Sequence, residues 1–97
     1  MNYRLSVRKK AVLEFTAVAI WYDKRRAGLG LRFLEHLQRT FTAIRSNPMG
    51  YHLQKGDFRH AYLETFPYRI TFKVKGSDVF VYQIRHTSQR PSKRFGP

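Results

Sequence analysis

Apolar positions along this chain change period from two to about 3.6 and back to two, and those changes mark its elements. Tyr3, Leu5 and Val7 alternate with Arg4 and Ser6, the pattern of a short half-buried strand. From Lys9 to Arg25 there is no Gly or Pro, and Ala11, Phe15, Val18 and Tyr22 recur at helical spacing. Ala19, Ile20 and Trp21 widen that stripe, which predicts a mostly buried helix. The run Lys24-Arg25-Arg26-Ala27-Gly28 closes it with a basic last turn and a glycine suited to left-handed backbone. A second helix, Leu29 to Arg45, is predicted by Phe33, Leu34, Leu37, Phe41 and Ile44, and Asn47-Pro48 stops it. Pro48 to Asp57 has no periodicity and reads as an ordered loop. Strands are then predicted at Phe58 to Glu64, Tyr68 to Lys75 and Val79 to His86.

Two helices joined by a tight turn form an antiparallel hairpin whose shared apolar face needs a sheet to cover it. The expected fold is therefore α+β: an N-terminal strand, a two-helix hairpin, and a three-stranded antiparallel meander packed on the helices. Residues 1–97 form one domain with a basic tail at 87–97. Gly76-Ser77 suits a two-residue hairpin loop, which sets Lys75 opposite Asp78. Val74 then pairs with Val79, Phe72 with Val81, Ile70 with Gln83 and Tyr68 with Arg85 on the helix side. On the other face Lys73 meets Phe80, Thr71 meets Tyr82, Arg69 meets Ile84, and Pro67 lies beside His86. That register brings Arg69 and His86 together, and a one-residue slip would part them.

Charge changes what this sheet is for. Nineteen Lys and Arg stand against six Asp and Glu, a net charge of +13, which favours a phosphate-rich partner. The plain alternative is a solubilising basic surface. With no cysteine, disulfides and thiolate metal sites are ruled out, consistent with a cytoplasmic protein. Ala11 to Tyr22 is too short to span a bilayer and Glu14 interrupts it, so neither a signal peptide nor a membrane partner is expected. His36 and His52 lack ligand-like neighbours, and there is no carboxylate pair or glycine-rich phosphate loop. No cofactor or metal is expected.

The texts Trp21-Tyr22, Gly28-Leu29-Gly30, Arg32-Phe33-Leu34, Ile44, Asn47-Pro48, Tyr51 and Phe66-Pro67-Tyr68-Arg69-Ile70 follow one another in a familiar order. With a last strand ending in His86, then Arg90-Pro91 and Phe95, the chain resembles the RelE/ParE superfamily of toxins from bacterial type II toxin-antitoxin systems. The resemblance implies a cognate antitoxin as partner. It also implies one of two targets: messenger RNA cut on the ribosome without a metal, as in RelE-like members, or DNA gyrase inhibited without nuclease activity, as in ParE-like members.

Arg69 occupies the position where the nuclease branch carries a catalytic arginine, and its guanidinium suits two phosphate oxygens at once. His86 is the expected acid or base, since imidazole titrates near neutrality. A hydrogen bond to a neighbouring loop is the ordinary role for a histidine there. Arg59 or His60 would stand in for the paired lysines that RelE carries on the preceding strand, which are absent here. Lys73, Tyr82, Arg85, Arg90, Lys93, Arg94 and Phe95 complete the expected nucleic-acid surface. Phe95 falls where RelE has a tyrosine, so it can stack but has no hydroxyl to donate. Charge and the Arg69–His86 face favour RNA, whereas the helical hairpin and histidine-ended strand fit the gyrase branch equally well.

Overall fold

A computed structural model of the chain describes residues 2–88. The expected tail residues Arg90, Lys93, Arg94 and Phe95 lie outside the described residues. The elements run β1 (Arg4–Val7), α1 (Lys9–Arg25), α2 (Leu29–Ser46), a 3-10 turn (Pro48–Gly50), β2 (Leu53–Lys55), β3 (Phe58–Tyr62), β4 (Tyr68–Lys75) and β5 (Asp78–His86). The strands form one sheet in the order β1-β5-β4-β3-β2, with β1 parallel to β5 and the other pairs antiparallel.

The α+β class is as expected, with the N-terminal strand in the sheet, but the sheet has a fifth strand, β2. β1 joins it beside β5, pairing Leu5 with Val79 and Val7 with Val81. β2 arises inside the expected Pro48–Asp57 loop, where Leu53 and Lys55 pair with β3 across an irregular register. All three of its residues are exposed, so it contributes no apolar periodicity that a sequence reading can detect. β3 ends at Tyr62 instead of Glu64, because Thr65 adopts left-handed backbone (φ 59°) in the turn to β4.

The core lies between α2 and one sheet face. Phe33, Leu37 and Ile44 of α2 meet Ala61, Ile70, Phe72, Val79, Val81 and Ile84, all fully or nearly buried. α1 differs from the mostly buried helix expected: only Ala11 is buried, while Leu13, Ile20 and Trp21 stand exposed. Its inner edge, Phe15, Val18, Ala19 and Tyr22, packs against the core from the side. The hairpin is held by Asp23, whose carboxylate accepts the backbone N–H groups of Gly28 (3.2 Å) and Gly30 (2.9 Å) at the start of α2. Gly28 is left-handed (φ 88°), as its position requires. A Cβ on Gly30 would come within 2.3 Å of the Ala19 carbonyl oxygen, so the helices approach there on the strength of its missing side chain.

The β4–β5 hairpin turns on Gly76-Ser77 as predicted, and Lys75–Asp78, Val74–Val79, Lys73–Phe80 and Phe72–Val81 pair as expected. Beyond Phe72 the register shifts. Tyr82 is an extra residue on β5, so Thr71 pairs with Gln83, Ile70 with Ile84, Arg69 with Arg85 and Tyr68 with His86. The predicted pairs Thr71–Tyr82, Ile70–Gln83, Arg69–Ile84 and Tyr68–Arg85 are not formed. The bulge turns Ile84 onto the core, where Ile70 waits, and sends the polar Gln83 and Arg85 to the opposite face.

Candidate nucleic-acid interface

The face turned away from the helices is built in rows across three strands. His60, Thr71 and Gln83 make one row, and Tyr62, Arg69 and Arg85 the next. Phe58, Lys73, Phe80 and Tyr82 crowd toward the hairpin end. Phe58 and Tyr82 meet edge to face at 5.5 Å, and the Lys73 ammonium sits 4.5 Å from the Phe58 ring and 5.8 Å from the Tyr82 ring. Arg8, at the junction of β1 and α1, brings its guanidinium to 5.1 Å from the Tyr82 ring.

Two groups at the centre of this face are buried without a hydrogen-bond partner: Nε of Arg69 and Oγ1 of Thr71. Arg69 is only 7% exposed and Thr71 fully buried. Among the described residues no carboxylate forms an ion pair with Arg69. An unsatisfied buried polar group costs about 1–3 kcal/mol, more for a charged one. Both atoms lie beneath the accessible surface of the face, so they burden its stability and leave the outward part of the Arg69 guanidinium to meet a partner.

His60 lies in the row beside Arg69. Burial, and secondarily the positive charge of Arg69, push its pKa below the ordinary imidazole value. At neutral pH it is an uncharged base next to a cation. Arg85 reaches Gln83 Oε1 (3.4 Å) within the face and Glu14 Oε2 of α1 (3.7 Å) at its edge. Glu14 also accepts the N–H of Ile84 (3.0 Å), at the edge of β5 that the four-residue β1 is too short to cover. Glu14 looked in the sequence like a mere interruption of an apolar run, and its isolation there was the available signal. Arg8 was likewise overlooked, as one of three consecutive basic residues.

The expected union of Arg69 with His86 is not found. His86 pairs with Tyr68 and so faces the helices, its ring 5.2 Å from that of Tyr68, while Arg69 points the other way. It lines a groove with Ala17, Val18, Trp21, Tyr22 and Tyr68. Its Nδ1 takes the backbone N–H of Ser88 (3.1 Å) and lies 2.7 Å from the Ser88 hydroxyl. The loop-bonding role is thus occupied. The Tyr22 and Tyr68 rings meet edge to face in this groove (6.3 Å), and burial raises both phenol pKa values. Arg59 also leaves the candidate site. It pairs with Phe72 on the helix side and donates to the Tyr51 carbonyl. Of the expected residues, Arg69, His60, Lys73, Tyr82 and Arg85 share one face.

No group of three or more potential metal ligands occurs among the described residues, and none of their helices is long and apolar enough to cross a membrane.

The helical hairpin packed on one face of a mixed sheet is similar in fold to solved toxin-antitoxin structures of the ParDE and RelBE systems. The chain matches the chromosomal ParDE toxin-antitoxin system of P. aeruginosa with a TM-score of 0.79 at 17% identity, over 89% of this chain and 97% of that one. It matches the intact E. coli RelBE toxin-antitoxin complex with a TM-score of 0.62 at 22% identity, over 91% and 99%. For the archaeal RelE-RelB complex of Pyrococcus horikoshii OT3 the values are 0.55 and 15%, over 93% and 100%. No protein-family model matches the sequence, and no curated protein is significantly similar to it.

Proposed function

We propose that this chain is the toxin of a type II toxin-antitoxin pair and that it arrests growth by cleaving messenger RNA on the ribosome. The observation that carries the reading is the Arg69 guanidinium, which no carboxylate among the described residues pairs, beside a neutral His60 on the same cationic face. The outward part of the Arg69 guanidinium would bind nonbridging oxygens of the scissile phosphate and stabilise the charge that grows there. His60 would take the proton of the 2′-hydroxyl, whose oxygen attacks phosphorus as the bond to the 5′-oxygen breaks. The departing oxygen takes a proton from solvent, leaving a 2′,3′-cyclic phosphate and a 5′-hydroxyl end. This reading needs no metal or cofactor. It moves the base from His86 to His60. The partner that holds such a toxin inactive would be an antitoxin, as in the ParDE and RelBE complexes, and its action in the cytoplasm follows from a ribosomal target.

The test is translation with purified ribosomes and a defined message. Wild-type protein should leave cuts within translated codons, and Arg69→Ala should reduce cutting at least about 100-fold, the scale of one preorganised charge-stabilising donor. An intact message would overturn the reading. The gyrase alternative draws support from the higher TM-score with the ParDE chain, 0.79 against 0.62 for RelBE. Intact transcripts together with lost supercoiling by purified gyrase would establish it instead.

A further inference from the structure

At the hairpin end of the same face lies a cleft of about 280 Å³ that the cleavage chemistry does not use. Arg8, Lys73 and Lys75 line it with the rings of Phe80 and Tyr82, and Asp57 is the lone acid. Tyr82 is held in place by the edge of Phe58 and by the cations of Arg8 and Lys73. Aromatic rings interleaved with cations suit a nucleobase and its phosphate: the base stacks on an aromatic or guanidinium plane while the charges take the backbone.

We propose that this cleft is a second nucleotide subsite, taking a base and phosphate of the single-stranded RNA whose scissile phosphate sits at Arg69. The inference rests on the RNA reading above. Three cations against one carboxylate supply the charge complementarity. Lys73 lies four residues along β4 from Arg69, about 13 Å at 3.3 Å per residue. Roughly four stacked nucleotides at 3.4 Å each cover that span. Arg8 enters from the end of β1, next to the β5 strand that carries Tyr82, so the subsite joins β1 to the last hairpin.

The experiment is fluorescence anisotropy with labelled single-stranded oligoribonucleotides of about three and about eight nucleotides, the longer being within the range one such face can hold. Arg8→Ala, at an exposed position, should weaken the longer RNA about tenfold and lower its salt slope by about one, with no effect on the shorter. Tyr82→Leu should weaken it similarly, and Tyr82→Phe should restore it. Unchanged binding of the longer RNA by Arg8→Ala and Tyr82→Leu would overturn the subsite. So would equal displacement of that RNA by duplex DNA or polyglutamate. If wild-type protein fails to cut on ribosomes yet its RNA affinity still depends on Arg8 and Tyr82, the cleavage reading falls and the subsite stands.

Discussion

Thr71 and His60 separate stability from function most sharply. Thr71 buries a hydroxyl with nothing to bond, so Thr71→Val should raise unfolding free energy by about 1 kcal/mol, because an isosteric methyl removes that desolvation penalty. Denaturant unfolding would show the gain, and the ribosome assay should show activity unchanged, because the hydroxyl lies out of reach of a substrate. A valine variant that is less stable would contradict the unsatisfied hydroxyl. For His60 the sign follows from its depressed pKa. Below about pH 6.5 the unfolded chain binds a proton that the folded chain resists, so its contribution is full above that value and is lost as pH falls through the lower, folded one. His60→Gln should flatten that part of the stability–pH curve, measured by unfolding between pH 7 and 5, and abolish cleavage. Both residues carry ordinary sequence signals, a threonine and a histidine in an alternating strand. Nothing in their identity announces that one is unsatisfied and the other held neutral.

At the scale of elements, one inserted residue decides the site. The hairpin loop is readable from Gly76-Ser77, and the register that follows from it holds for the four pairs up to Phe72–Val81. The bulge at Tyr82 then reverses which face Gln83, Ile84, Arg85 and His86 occupy, and local alternation contains no sign of it, since Val81-Tyr82-Gln83-Ile84 suits either parity. Deleting Tyr82 should remove the bulge while keeping Gln83 opposite Thr71 and Ile84 opposite Ile70, so the variant should keep a cooperative thermal transition, whereas an alanine inserted after Gln83 should turn Ile84 off the core and abolish it. The helical hairpin offers a second test. Gly30→Ala places a methyl against the Ala19 carbonyl, and overpacking of that kind costs about 1–3 kcal/mol by denaturant unfolding. Glycine at that point was visible in the sequence. Its reason, a close approach between helices, was not.

For the whole molecule, a net charge of +13 sets how partners are met. The proposed antitoxin should be acidic where it covers the cationic face, and its affinity should fall as salt rises from about 50 to 200 mM, read by calorimetry. An affinity insensitive to salt would place the contact on the exposed apolar edge of α1, around Leu13, Ile20 and Trp21. Periodicity, turn residues and charge, all properties of neighbouring positions, were enough to determine two helices, four of the five strands, the α+β class and a basic sheet face. Which residues share that face depends on strand register, and register answers to the whole core. Ile84 must meet Ile70 beneath the helices, so β5 bulges and His86 turns inward. Only the tertiary structure could therefore exchange His86 for His60 beside Arg69, because the energy that decides it comes from apolar contacts made between strands and helices far apart in the chain.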